Sequence, residues 1–460
     1  MTPPRRAQQG AALAWGLVSL SLLSVAWLGY FHVNQIAEQQ GRLSLVLDAA
    51  AYSAATEQAR TLNLLAYINR AQLGHQLALA HLLTLATWDR AAQTQSGQMR
   101  RGNPPAYLIA MMFGPGHGSA YLGARSAGDG QRSLEQAFEG HQQLIHQVLA
   151  KAQDQLVQEL PQRRSAIIQA ILDGSLPDWP AQNRSWQLEG DGWPGFLQRR
   201  SGLAQWRPAL MRLTALYGFL GPRDHLASSF WVVDPRCPLW RHRLRRLGRT
   251  DMDGHGRWHS SDTQSLHAVR ANRWLGCYFR EYAMAWALQT SMETSGIQAP
   301  ADFSAQSFWR WALEQGNTSL FSADDNAVAK AWARRDVTDW KQAGLPEGYS
   351  IAIPGSRLGL CLRMRGQGHL GQAVHAHSCA QTFFSLPPGS HDEDSGSSSL
   401  FLPFWQARLS GADQTTIRKP RRSRRGQARP ARCNARSAPA SRQRSAGCKA
   451  RVLYVGGEQS

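Results

Sequence analysis

The chain has 460 residues, 43% of them hydrophobic and 18% charged, which excludes a wholly disordered polypeptide and a many-span membrane protein and leaves room for two or three domains. Its formal net charge of +19 points to nucleic acid until it is divided by region. Thirteen Lys or Arg and one acid, Glu458, fall in residues 415–460, so twelve of those charges sit in the tail and seven are spread over the rest; no specific nucleic acid is expected as a partner.

Residues 1–10 form a short basic N-terminus carrying Arg5 and Arg6, expected in the cytoplasm. Residues 11–31, AALAWGLVSLSLLSVAWLGYF, hold 21 residues without a charge, enough helix to cross about 30 Å of hydrocarbon. Trp27 and Tyr30 stand near its far end, where amphipathic rings favour the headgroup layer. The basic flank stays inside, so the sequence predicts a single-pass inner (cytoplasmic) membrane protein with its C-terminal bulk periplasmic. A cleaved secretory signal would have a shorter apolar core and a small-x-small site, which HVNQIAEQQGRL does not offer. A buried helix of a soluble protein is the other alternative.

Beyond the span, Ile36, Gln40, Leu43, Leu47, Ala50, Ala54, Leu62, Leu65 and Leu73 recur at helical steps. They predict an Ala-rich helical segment over 32–97, closed near Gly97. Residues 98–183 read as mainly helical, with AYLIAMMF a core-sized helix and 133–160 an amphipathic one ended by Pro161. An α+β domain follows over 184–386. Its β-type runs include SSFWVVD at 228–234, a hairpin turns at Asp253 and Gly254, and YSIAIPG and LGLCLRMRG read as two strands joined near Gly355. Trp231, Trp240, Trp258, Trp274, Trp286, Trp309 and Trp311 are read as core. Residues 387–414 form a linker and closing segment, and 415–460 a solvated, disordered basic tail.

Cys237, Cys277, Cys361 and Cys379 lie in the folded region, with Cys433 and Cys448 in the tail, and no spacing matches a CxxC pair or zinc ribbon. Outside the cytoplasm two disulfides are expected among three connectivities, Cys361 with Cys379 and Cys237 with Cys277 being favoured; free buried thiols are the alternative. The sequence has no G-x-S-x-G, H-E-x-x-H, P-loop or dinucleotide fingerprint. HAHSC places His375, His377 and Cys379 at alternate positions of a strand, where they share a face; His369 or Cys361 would supply a fourth metal ligand. The bland alternative is a paired Cys379 and surface histidines. Asp262, His267 and Ser265 offer hydrolase-type chemistry only if they meet in space.

The residues from Leu47 to Trp88 also carry a pattern. Asp48, Ala49, Ala50, Ala51, Tyr52, Ser53, Ala54 and Ala55, then Ala59, Arg60, Leu62, Asn63, Ala66, Tyr67, Asn69, Arg70 and Ala71, follow directly on a hydrophobic N-terminal helix. This order resembles the TadG-like and TadE-like proteins of tight-adherence (Flp) pilus assembly, and FWQARL at 404–409 resembles their closing segment. The resemblance implies a membrane-anchored structural or assembly protein of a pilus or related secretion apparatus. Its partners would be the membrane and other assembly proteins, and its alanine faces would suit close helix packing. Family members that enter the filament are cut after a glycine and carry a glutamate five residues on. Here the residue five after Gly10 is Trp15, and no acid precedes Glu38, so a static assembly role is expected. Asp394 does not begin the D-x-S-x-S of the metal-binding domain some members carry.

The sequence therefore predicts an α+β, non-enzymatic protein: a transmembrane helix running into an Ala-rich stalk and helical region, then a mixed extracytoplasmic domain. No catalytic residue, metal, cofactor or small-molecule substrate is expected. The alternative is a membrane-anchored metal-dependent hydrolase built on the later histidines.

Overall fold

The computed structural model describes residues 9–123, 130–179, 181–200, 202–274, 276–290, 337–352, 357–367, 373–387 and 399–411. The basic tail, Arg5 and Arg6, Trp309, Trp311, His369, Gly355 and Asp394 lie outside them.

One helix organises the rest. α1 (Gln9–Arg100) has 92 residues without a proline, about 140 Å at 1.5 Å per residue. It closes where Gly102 takes a φ of +67° and the N–H groups of Arg101, Gly102 and Asn103 donate back to Gly97, Met99 and Gln98, the left-handed stop that glycine adopts at least cost. Residues 12–31 are exposed throughout, Leu22 and Trp27 among them, and this helix is long and apolar enough to cross a membrane. From Leu43 onward one face is buried.

The remaining elements pack along that spine. In chain order they are α2 (Ala106–Phe113), α3 (Pro115–Gly123), α4 (Gly130–Gln143), which passes through a π-helical turn (Leu144–Leu149) into α5 (Ala150–Ser175), β1 (Arg184–Glu189), β2 (Leu197–Arg200) and α6 (Gly202–Thr214). Then come β3 (His225–Ser228), β4 (Arg243–Met252), β5 (Trp258–Asn272), β6 (Gly276–Thr290), β7 (Val337–Asp339), β8 (Gly348–Ile351), β9 (Leu358–Gln367), β10 (Ala373–Phe384) and β11 (Trp405–Ser410). The class is α+β.

A four-stranded sheet of order β1-β9-β10-β11 covers the first packed part of α1. Leu43, Leu47, Ala50, Ala51, Ala54 and Ala55 meet Leu360, Leu362, Met364, Val374, Ala376 and Ala380, with Ile168 and Leu172 of α5 in the same cluster. Farther along, α1 meets a five-stranded sheet of order β3-β4-β5-β6-β7 whose last pair is parallel. There Leu79, Leu83 and Ala86 pack with Met252, Trp258 and Trp340. The segment read as a stalk is thus, after Leu43, the buried spine of the fold.

Three expectations need correction. Pro161 does not end its helix, because α5 runs through it; burial of Leu160, Arg164, Ile168 and Leu172 outweighs the roughly 3 kcal/mol that an interior proline costs. YSIAIPG and LGLCLRMRG do hold two strands, β8 and β9, with Gly355 between them outside the described residues; β8 pairs with β2, and β9 lies between β1 and β10. SSFWVVD is largely a loop, since β3 ends at Ser228. Trp231, Trp240 and Trp274 are exposed rather than core, for they sit on that loop and on the β5–β6 turn, while Trp258 is buried. The Asp253-Gly254 turn does close a hairpin, Met252 facing Trp258 across β4 and β5.

Candidate functional site

The residues that carry the family resemblance divide between two faces of α1. Ala50, Ala51, Ala54 and Ala55 point into the sheet with no exposed surface. Their small size lets the helix lie close on β10, where Ser378 Oγ donates to Asp48 Oδ1 at 2.5 Å and Thr382 Oγ1 donates to the Ala55 carbonyl at 2.9 Å. Asn63 makes a reciprocal pair with the backbone of Trp405, its Nδ2 donating to the carbonyl at 3.0 Å and its Oδ1 accepting the N–H at 2.9 Å. Asn69 Nδ2 donates to the Leu400 carbonyl at 2.8 Å. The two stretches singled out in the sequence, residues 47–88 and FWQARL, are therefore docked on one another across 342 residues of chain.

The other half of the pattern faces away. Ala49, Tyr52, Arg60, Tyr67 and Arg70 are exposed, and with Leu45, Leu64 and Ala71 they mark one side of α1 in two runs, 45–52 and 60–71, separated by the half-buried Thr56. Leu45 is 71% and Tyr67 56% exposed, large apolar groups that a helix serving only its own fold would not need to place there. Leu45 and Leu64 were not among the sequence-selected residues, although their spacing from Tyr52 and Tyr67 gives the signal.

The three clusters that invited a chemical reading are also placed. Ligand atoms of Cys361, His377 and Cys379 lie within 4.8 Å of one another, on the face of β9 and β10 away from α1. Cys361 and Cys379 face each other across the two strands and are disulfide-bonded, as are Cys237 and Cys277. A disulfide sulfur is not a thiolate, so the bond removes two of the three donors. His377 is left with Glu189, 4.0 Å away, and His375 is exposed and outside the group.

Ser265 Oγ lies 3.2 Å from Nε2 of His267, but the carboxylate beside His267 is Glu281, 3.0 Å from the same Nε2. A hydrolase relay needs acid and hydroxyl on opposite ring nitrogens, and this arrangement puts both on one. Asp262 faces the other way. It is buried and held by Arg223, whose Nη2 donates to Oδ2 at 2.9 Å, and by Thr87 Oγ1 at 3.1 Å. Burial pushes its pKa up against the pull of Arg223. Thr84, Thr250 and Ser260 complete a hydroxyl network in which Thr84 and Thr250 are 2.7 Å apart and Thr250 and Ser260 2.9 Å. That is the chemistry of a satisfied buried contact between α1 and the second sheet.

Against family models, curated proteins and solved structures the chain has no match.

Proposed function

We propose that this protein is a membrane-anchored assembly factor of a Flp (tight-adherence) type pilus or related secretion apparatus. It spans the inner membrane once with its N-terminus in the cytoplasm, and it acts outside through protein contacts rather than catalysis. What supports this reading best is the exposure of Tyr52, Arg60, Leu64 and Tyr67 on the back of a helix whose other face is fully engaged by its own sheets. The buried half of the pattern fixes α1 in the fold, and the exposed half is offered to a partner helix or strand. The uncharged residues 11–31 supply the anchor.

The test is photocrosslinking from position 52 or 67 in cells, with position 57, which faces the domain and contacts Arg163, as control. Specific adducts with a pilus or secretion component at 52 and 67 but not 57, together with loss of assembly in Tyr52→Glu, support the assignment. Labelling at neither position, with Tyr52→Glu fully active, sinks it. Reporter fusions after Gly97 and Leu409 test the topology separately, both being expected outside the cytoplasm. The hydrolase alternative gains nothing from the geometry, because its sulfur ligands are joined to each other.

A further inference from the structure

The end of the domain farthest from the span carries a surface that the packing of α1 does not explain. Trp258 of β5 bonds through Nε1 to Gln76 of α1, Trp286 of β6 bonds Thr94, and Leu266 and Met284 cluster with Met99. β5 therefore runs along α1 away from the membrane segment. It continues six residues past Leu266, to Asn272, about 20 Å at 3.3 Å per residue. Added to the helix from Phe31 to Arg100, the β5–β6 turn stands roughly 120 Å along the axis from the end of the apolar run.

Two loops meet at that end. The loop 229–242 is tied to β6 by Cys237–Cys277. It is tied to β5 by the Val269 N–H, which donates to Nδ1 of His242 at 2.8 Å, and it is closed on itself by the Ser229 N–H donating to the His242 carbonyl. Held in this frame are large apolar groups turned to solvent: Trp274 is 87%, Leu239 91% and Phe230 69% exposed, with Trp231 and Trp240 beside them. Arginines surround them. Arg270 and Arg273 flank the turn, with Arg273 against the Trp274 ring at 5.8 Å and Arg243 over Phe279 at 5.1 Å. The acid within the loop, Asp234, is taken by Arg236 at 2.9 Å. Farther back, along β3 and β4, Arg243, Arg245, Arg246, His225 and His267 line a cleft of about 330 Å³, where Asp224 is turned toward the Gly248 N–H, Arg246 lies 3.8 Å from Asp262 and His267 3.0 Å from Glu281.

Tryptophan and leucine with arginine, and almost no acid, is the chemistry of a bilayer interface: rings settle at headgroup depth, and guanidinium groups pair with phosphate. A soluble surface seldom gathers so many large exposed apolar groups on one loop and the turn tied to it without a partner, and the ordering of the loops is met in advance by the disulfide. We propose that this tip docks on the anionic phospholipid headgroups of a second membrane surface, facing the one that α1 crosses. The protein would then span the gap between two bilayers, pairing Arg270 and Arg273 beside the turn with headgroup phosphate and inserting Trp274 and Leu239 into the interfacial layer. The bridging geometry rests on the single-pass anchoring proposed above; the lipid chemistry of the tip does not.

The experiment uses the full chain held by its span in nanodiscs of phosphatidylcholine, mixed with free vesicles and read by flotation. Vesicles with about one-third phosphatidylglycerol are expected to carry the nanodiscs up and pure phosphatidylcholine vesicles are not. Trp274→Ser with Leu239→Ser, and separately Arg273→Glu, are expected to weaken capture about tenfold. These side chains are exposed, so an unchanged thermal melt accompanies the loss. Equal capture of wild type and variants, which would place binding in the basic tail, overturns the proposal. So does capture by a soluble acidic polysaccharide with none by vesicles. Failure of the chain to enter nanodiscs speaks against the anchor instead, and the difference in flotation between free wild type and the Trp274→Ser/Leu239→Ser variant then still reads the tip.

Discussion

The two halves of α1 solve the same packing problem with opposite chemistry. Between Leu43 and Leu65 the helix lies on its sheet mainly through alanine and leucine, with a few single hydrogen bonds among them, at Asp48, Thr382 and Asn63. Between Gln76 and Thr94 the contact has an ion pair and hydroxyls at its centre: Thr84, Thr87, Thr250, Ser260, Asp262 and Arg223. The first interface depends on volume, so it tolerates change of shape poorly. The second depends on each polar atom having a partner, so it tolerates loss of one partner poorly.

The largest effect should come from the second interface. Asp262→Ala leaves Arg223, only 10% exposed in its side chain, as a buried charge without its carboxylate. The expected loss is about 4 kcal/mol in chemical denaturation. Pairing it with Arg223→Met should recover most of that loss, since removing both charges removes the orphan. A double variant no better than the single one would mean that the pair is not what holds this contact.

In the first interface Ala54→Leu should cost about 3 kcal/mol by overpacking, because α1 and β10 are spaced for a methyl group. The same substitution at the exposed Ala49 should cost about nothing. Equal effects at 49 and 54 would show that the helix is not seated as described.

How much of this could be read from the sequence follows from what a local pattern encodes. Spacing marks the buried face of α1, because Leu43, Leu47, Ala50 and Ala54 repeat within a few turns; the absence of proline and of charge in residues 11–31 marks the span. Spacing cannot say what covers that face. Asn63 looks like any helical asparagine until Trp405, 342 residues away, supplies both of its partners. Nor does it say that β8 crosses to β2, or that Arg223, from a loop, balances Asp262. The tryptophans differ for a related reason: residue type favours burial, yet Trp231, Trp240 and Trp274 sit on a loop and a turn tied together by a disulfide. The hydrolase residues were legible as types, but the deciding fact, which nitrogen of His267 faces which group, is three-dimensional.

Acid should act on the second sheet alone, at the loop that caps it, with a smaller effect. His242 is buried beside β5 and accepts the Val269 N–H on Nδ1, which requires the neutral ring. Burial, helped by the charge of Arg270, lowers its pKa from 6.5 to about 4. Between those values the unfolded chain binds the proton and the folded chain does not. Stability therefore falls as pH drops through that window, by about 2 kcal/mol at pH 5. His242→Asn keeps an acceptor for Val269 and cannot titrate, so its stability should be flatter over pH 4–6.5. An identical acid slope in wild type and variant would assign the loss to other groups.

The smallest change tests whether the hydroxyl network is cooperative. Thr84→Val keeps shape and removes one hydroxyl, but Thr250 retains Ser260 at 2.9 Å and Arg223 at 3.1 Å, so no buried group is orphaned. The expected loss is about 1 kcal/mol, well below that of Asp262→Ala though the two side chains share the network. If Thr84→Val instead approaches the Asp262→Ala value, the hydroxyls are orienting the ion pair as a unit, and the far half of α1 is held by one coupled contact rather than several separable ones.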